Sequence, residues 1–141
     1  MMRTSSAPDR SVLVVSFASK VFGLDRWTGA PRWEVDLAGY GEADLHIVAE
    51  VVIAVTSSHV VFLDYRSGGV HAKVSLGVNY ERRPTSIVDE GHLYVGANGE
   101  LVCFTLQGQR VWHQPFTGKG MGSMALALPG NVRQADDAGA K

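Results

Sequence analysis

The sequence predicts an all-β fold of four-stranded antiparallel sheets, the blades of a β-propeller, with about three blades in 141 residues. Three observations predict it. A turn motif recurs with a period of about forty residues, short β-rich runs alternate with turn-forming residues, and no helical periodicity extends beyond one turn. Because a ring needs at least about four blades, we expect closure only on oligomerisation.

The first copy of the motif is GLDRWTGAPRW, from Gly23 to Trp33. Asp25 is expected to end a strand and to accept backbone N–H groups of the turn, with Thr28 beside it. Gly29 supplies the positive φ that a tight hairpin needs. Trp33 offers a large apolar face and one N–H donor to the gap between two sheets. We therefore interpret all four as residues that dock blades.

The second copy keeps the turn but loses the tryptophan. Asp64 follows Asp25 by 39 residues, Gly68 stands at the glycine position and Ala72 at the tryptophan position. Because alanine is much smaller than tryptophan, we expect a shallower and less firmly packed joint there. On this interpretation Ala72→Trp should raise the melting temperature.

The third copy, VCFTLQGQRVW, has a turn that is one residue shorter. Thr105 replaces the aspartate, Gly108 takes the glycine position and Trp112 takes the tryptophan position. Trp112 lies 79 residues after Trp33, which is two periods. We interpret Asp64, Gly68, Gly108 and Trp112 as docking residues like those of the first copy.

The segments upstream of the second and third copies each contain three more short strands. LHIVAEVVIAVTSSHVVFLD and PTSIVDEGHLYVGANGELVCFT align with each other, with turn-forming residues at matching places. SVLVVSFASK near the N-terminus is interpreted as a strand, not as a signal peptide. We expect a flexible segment at 1–10, the propeller segment at 11–129 and a flexible polar tail at 130–141.

The two ends of the propeller segment complement each other. The first unit starts at its second strand, whereas the stretch with Met124, Leu126 and Leu128 matches only the first strand of a further unit. We predict that this stretch completes the first blade of another copy, so that two chains form a six-bladed ring. A separate propeller fragment as partner and a longer parent chain are the alternatives.

Composition excludes some classes of partner. Lys and Arg number 13 and Asp and Glu 14, so the near-neutral charge favours neither nucleic acid nor an anionic membrane. No apolar run is long enough to span a bilayer. Cys103 is the single cysteine and cannot form an internal disulfide. We therefore expect a cytoplasmic protein, although a periplasmic location is compatible with the sequence.

The residues with reactive side chains form no pattern of a catalytic, cofactor or metal site. The five histidines lack close metal-ligand spacing, and the carboxylates of the motif are explained as turn residues. We therefore predict no catalytic residue, no cofactor and no metal. Arg82, Arg83 and Lys119 lie in two equivalent blade connections and form the best candidate rim for a ligand or partner.

The motif resembles the blade signature A-x-D-x-x-T-G-K-x-x-W of the pyrroloquinoline-quinone-type β-propellers, with Gly23 for the Ala and Ala30 for the Lys. The resemblance covers about residues 12 to 128 and implies that the tryptophan packs between blades. For the dehydrogenases of this superfamily it implies a quinone and a calcium ion. Their neighbouring-cysteine pair is impossible with one cysteine, and no calcium-ligand cluster is present. Their non-enzymatic relatives, including the scaffold of the outer-membrane protein assembly machinery, fit better.

The sequence thus favours a non-enzymatic scaffold that self-associates and mediates protein–protein interaction. The alternative is a ligand-binding or enzymatic propeller, whose site forms in the central channel of the assembled ring. The fold alone does not decide between them, because propellers serve both kinds of function.

Overall fold

The structure, a computed structural model, describes residues 7–38, 41–77 and 83–135. In these ranges the chain forms thirteen strands and no helix. All strand pairs in the described residues are antiparallel, and neighbouring strands in each sheet are also consecutive in the sequence. The predicted all-β fold of antiparallel blades is confirmed, and the sheets do not close into a ring.

Three sheets correspond to the predicted blades. The first blade has three strands in the order β1-β2-β3: β1 (Val12–Phe17), β2 (Lys20–Asp25) and β3 (Pro31–Asp36). The second blade has the order β4-β5-β6-β7: β4 (Asp44–Val48), β5 (Val51–Val55), β6 (His59–Asp64) and β7 (Val70–Ser75). The third blade has the order β8-β9-β10-β11: β8 (Thr85–Asp89), β9 (His92–Ala97), β10 (Glu100–Thr105) and β11 (Arg110–Gln114).

A short hairpin follows the third blade and differs from the sequence-based expectation. β12 (Leu126–Leu128) pairs with β13 (Asn131–Arg133). A strand therefore lies inside the segment from residue 130 that we expected to be a flexible tail, and the last unit has two strands instead of one. The side-chain amide of Asn131 donates to the carbonyl of Val88 at 2.8 Å, which attaches the hairpin to β8.

The core consists of two layers, one between each pair of neighbouring blades. Alternation of side chains places every second residue of a strand on the same face. The layer between the first and second blades contains Val12, Val21, Leu37, Val52, Ala54, Val61, Leu63 and Tyr65. The layer between the second and third blades contains Ile53, Val55, Val60, Phe62, Leu93, Val95, Val102 and Phe104. The second blade is therefore apolar on both faces.

Tyr65 from the second blade caps the open edge of β1. Its hydroxyl donates to the carbonyl of Val12 at 2.7 Å and accepts the Val12 N–H at 2.8 Å. In the second blade the equivalent residue, Val51, pairs with Val48 of β4. The tyrosine hydroxyl thus takes the place of the first strand that the first blade lacks. Tyr65 is only 3% exposed, so these bonds lie away from water.

We expect Tyr65→Phe to lower the free energy of unfolding by about 1–3 kcal/mol, because it leaves two buried backbone groups of Val12 without a partner. Urea denaturation followed by circular dichroism, at a protein concentration low enough to keep the chain monomeric, measures this change. Tyr94→Phe removes a hydroxyl from the open face of the third blade and serves as the control. An equal midpoint for Tyr65→Phe and the native protein would contradict the capping role.

Candidate functional site

The motif turns are organised by side-chain acceptors. Oδ1 of Asp25 accepts the backbone N–H groups of Trp27 and Thr28, both at 2.9 Å. These bonds, that of Thr28 above all, hold the pKa of Asp25 below its ordinary value. Thr105 does the same work in the shorter third turn, where its hydroxyl oxygen accepts N–H groups of Gln107 and Gln109.

Asp64 repeats this arrangement in the second blade. Its Oδ2 accepts the N–H groups of Ser67 at 2.8 Å and Arg66 at 3.1 Å. The bonds from Ser67 are the main reason that the pKa of Asp64 is lowered. The acid positions of the motif are therefore structural, because each carboxylate is engaged with the turn that follows it.

Trp33 lies in the joint between the first and second blades. It pairs with Gly23 across β2 and β3, and its ring covers that glycine so closely that a Cβ there would overlap the indole. On its other side a Cβ on Gly68 would lie 2.6 Å from Cδ2 of Trp33. The indole Nε1 donates to the carbonyl of Tyr65 at 3.0 Å. Trp33 therefore packs directly on the backbone of both blades, at two positions where only glycine leaves room for the indole.

The second joint contains the same elements with large and small residues exchanged. Ala72 pairs with Phe62, at the places of Trp33 and Gly23, and Phe62 is fully buried. A Cβ on Gly108 of the third blade would lie 3.0 Å from Cβ of Ala72 and 3.4 Å from Phe62. Hence no gap remains at Ala72, and our expectation of a loosely packed joint is wrong. Phe62 supplies the volume from the neighbouring strand.

Ala72→Trp is accordingly expected to lower the melting temperature, since the added indole meets Phe62 and Gly108 in a filled space. Overpacking of this kind costs about 1–3 kcal/mol or more. The double variant Phe62→Gly with Ala72→Trp rebuilds the pair of the first blade and should be less destabilised than the two single changes predict together. Differential scanning calorimetry of the four proteins tests this. Additive effects would contradict the exchange of volume.

Trp112, the third docking residue, is not covered. It pairs with Cys103 and makes a tilted contact with the ring of Tyr94 at a centroid distance of 6.1 Å. Trp112 is 42% exposed, whereas Trp33 packs against the first core layer. All five residues of β11 are exposed, in contrast to β3 and β7, where alternate residues are partly buried. Burial of Cys103 raises its thiol pKa, which opposes a role as a nucleophile.

A polar cleft of about 180 Å³ lies beside β4, β8 and β13. Asp44, whose side chain is 14% exposed, forms ion pairs with Arg83 at 3.5 Å and Arg133 at 3.1 Å. The cleft is lined by Asp44, Arg83, Pro84, Thr85, Arg133, Gln134 and Ala135. Two guanidinium groups share one carboxylate here, so the described lining of the cleft is dominated by charged and hydrogen-bonding groups.

His46 connects two blades next to this cleft. Its Nε2 lies 2.8 Å from the hydroxyl of Ser86, so that β4 and β8 are linked side chain to side chain. Burial lowers the pKa of His46, and the positive charge of Arg133 adds to that effect.

The candidate basic rim is only partly visible. Arg82 lies outside the described residues. Arg83 lies in the Asp44 cleft, and Lys119 is not among the residues that line it; its backbone N–H donates to Phe116 in the glycine-rich connection. Arg133 was missed because it stands in the segment that we expected to be a flexible tail.

The stretch that we expected to complete another copy packs on its own third blade. Sδ of Met124 and Cδ2 of Leu126 lie 3.1 and 3.4 Å from the place of a Cβ on Gly96. Met124 precedes β12, and Leu128 pairs with Asn131 of β13. Within the chain, therefore, β13 pairs with β12 at the place where we expected a strand of another copy.

In the described part of the chain no three histidine, cysteine, aspartate or glutamate side chains come together to hold a metal ion. The same residues form no helix with the length and apolar character needed to cross a bilayer.

Solved structures with the same fold include proteins of very different function. BamB from Moraxella catarrhalis is 28% identical, with a TM-score of 0.57, and the match covers 74% of this chain and 33% of BamB. A europium-containing methanol dehydrogenase is 15% identical, with a TM-score of 0.56 over 72% of this chain and 22% of the enzyme. The computationally designed protein Ika8 is 17% identical, with a TM-score of 0.63 over 86% and 38%. At these lower identities the last two show the fold alone.

The chain spans only about a third of the length of BamB, the first of these structures. No curated protein sequence matches it. The family model described as outer membrane protein assembly factor BamB matches residues 2–136, which is nearly the whole chain. The chain therefore belongs to this family of pyrroloquinoline-quinone-type β-propeller proteins.

Proposed function

We propose that the protein is a non-enzymatic scaffold that self-associates and holds protein partners on its blades. The observation that carries this proposal is the apolar surface that the described residues leave exposed on the outer faces of the first and third blades. Leu13 and Phe17 of the first blade are 54% and 58% exposed, and Val111 and Trp112 of the third blade are 48% and 42% exposed. Exposed apolar surface of this kind is typical of sites that bind other proteins.

The family supports the same proposal. Its description names an outer membrane protein assembly factor, and such a factor acts on other proteins. It also favours the cell envelope over the cytoplasmic location that we expected from the sequence. The dehydrogenase among the structural neighbours does not support an enzyme, since likeness at 15% identity extends to the fold only.

Site-specific photo-cross-linking in living cells tests the proposal. A photoreactive residue at Phe17 should yield adducts with a second copy and with other proteins. At Val70, which is 54% exposed but lies on the middle blade, adducts should be much weaker. Equal yields at the two positions, or no adduct at Phe17, would contradict the scaffold role.

A second candidate function is favoured by the Asp44 cleft, which has the donors to bind a small polar or anionic ligand. Its volume of about 180 Å³ is small for a substrate pocket. Isothermal titration with acetate and phosphate checks this candidate. Binding that is lost in Arg133→Gln would favour it over a purely structural cluster.

A further inference from the structure

We propose that the first blade of a second copy docks on the open face of the third blade, with its Gly29 turn placed against the Trp112 indole. The inference rests on the proposed self-association and names the surfaces that carry it. We call the two surfaces the Trp112 face, formed by Tyr94 and Trp112 above the buried Cys103, and the Leu13 face, formed by Leu13, Val15, Phe17, Phe22 and Leu24.

The Leu13 face is equivalent to the buried faces of the next two blades. Leu13 pairs with Leu24 in the first blade, as Val52 pairs with Leu63 in the second and Leu93 with Phe104 in the third. These four counterparts are fully buried against the preceding blade. The first blade thus presents apolar residues at the positions by which blades dock, with no blade in front of them in the described chain.

The Trp112 face is equivalent to the faces that receive the next blade. Trp112 pairs with Cys103 as Trp33 pairs with Gly23 and as Ala72 pairs with Phe62. The first two blades each accept the motif turn of the following blade at this place. The third blade offers the same place with a tryptophan on it.

The turn glycines indicate which segment fits. Gly68 is pressed against Trp33, and Gly108 against Ala72, with close contacts at both. Gly29 has the same left-handed conformation, with φ 78° against 75° for Gly68, but no atom of the described residues lies within 4 Å of its Cβ position. Among the described residues, the first blade therefore has a motif turn with no indole packed against it. The third blade has the exposed Trp112 indole with no motif turn packed against it.

The inner strand also has a place in this arrangement. Leu126 covers Gly96 at the inner part of the third blade but leaves Trp112 exposed. β13 pairs with β12 through Leu128 and Asn131, at the register of Val48 and Val51 in the second blade. In the proposed joint, the six residues of β1 from the second copy replace the three residues of β13 as the partner of β12. Leu128 then forms the backbone hydrogen bonds with Val12 of the second copy that the Tyr65 hydroxyl forms within the single chain.

The contact joins two different surfaces, so an assembly in which every copy makes both contacts is finite only if it closes into a ring. With two copies the same joint forms twice, and the ring has six blades. Each joint buries a tryptophan, and residues of this type dominate binding energy at interfaces.

Sedimentation velocity over a concentration series tests the proposal with two variants and two matched controls. Trp112→Ala removes the indole. Gly29→Asn adds a side chain to the turn, and asparagine tolerates the left-handed conformation, so the single chain should accept it. Val70→Ala shortens an exposed apolar side chain of the middle blade. Gly77→Asn, at φ 85° and with no other described residue within 4 Å of its Cβ position, matches Gly29→Asn but lies on the middle blade.

We expect the native protein to sediment as a dimer, and each test variant to raise the dimer dissociation constant at least about 30-fold. The controls should leave this constant unchanged. An equal mixture of Trp112→Ala and Gly29→Asn should associate more tightly than either variant alone, since one of its two joints is native.

A dimer that neither variant weakens would overturn this inference but leave the proposed self-association intact. A native protein that stays monomeric at every concentration would overturn both, and a different partner would then cover the Trp112 face. Association of the mixture that is no tighter than that of the single variants would show that the two faces do not meet each other.

Discussion

Replacement of Trp33 by alanine is expected to lower the free energy of unfolding by about 3–5 kcal/mol, the largest effect of any single truncation outside the fully buried core. The indole lies between Gly23 and Gly68, and neither glycine has a side chain that could move into the space. The change also leaves the carbonyl of Tyr65 without its donor. Chemical denaturation followed by circular dichroism measures the loss.

Trp27 provides the matched control. It lies on the same hairpin but is 71% exposed and stacks only on the guanidinium of Arg26. Trp27→Ala should change the stability by no more than about 0.5 kcal/mol. If both substitutions cost the same, the joint is not where the stability of the first two blades arises.

Gly68→Ala is expected to cost clearly more than Gly29→Ala, although both glycines stand at the same position of the motif. Each substitution places a Cβ on a left-handed residue, which costs about 1–2 kcal/mol. At Gly68 the new atom also meets Trp33 at 2.6 Å, whereas at Gly29 no atom in the described part of the chain lies within 4 Å. Overpacking adds about 1–3 kcal/mol at Gly68 alone.

The difference in the free energy of unfolding between Gly68→Ala and Gly29→Ala therefore reports the packing of the joint, separately from the conformation of the turn. It is measured as the difference in denaturation midpoints at a protein concentration low enough to keep the chain monomeric. In the Trp33→Ala background this difference should largely vanish, because the obstacle has gone. A difference that persists there would mean that the extra cost at Gly68 does not come from its contact with Trp33.

The architecture could be predicted because its signal is local and repeated. The aspartate, glycine and tryptophan of the first motif each have a physical role in a hairpin, and copies at a fixed spacing indicate blades. Asp25 and Asp64 accept the turn N–H groups that the sequence analysis assigned to them. Such roles depend on residues only a few positions apart.

Features that depend on distant residues could not be predicted in this way. The alanine at position 72 indicated a gap, because the compensating Phe62 stands on another strand and shows its role only once the register is known. The Tyr65 hydroxyl reaches Val12, 53 residues away. One signal was present in the sequence: the aligned positions in the other copies are Arg26 and Leu106, so a tyrosine there is specific to the second blade.

The Asp44 cleft was missed for a related reason. Arg133 stands in a polar stretch without a β-rich run, and only the turn at Pro129 and Gly130 indicated a hairpin. Its partner Asp44 is the first residue of β4, but in the sequence it resembles an ordinary loop carboxylate. Their ion pair at 3.1 Å follows from the docking of β13 beside β8.

In the proposed assembly, the outer faces of the first and third blades are complementary surfaces that meet each other. Hydroxyl-radical footprinting read by mass spectrometry is a direct test, since it reports the exposure of individual side chains. As concentration rises through the association range, we expect Trp112 and Leu13 to become protected together, while Val70 stays as accessible as before. Association with Trp112 still fully reactive, or with only one of the two faces protected, would contradict it.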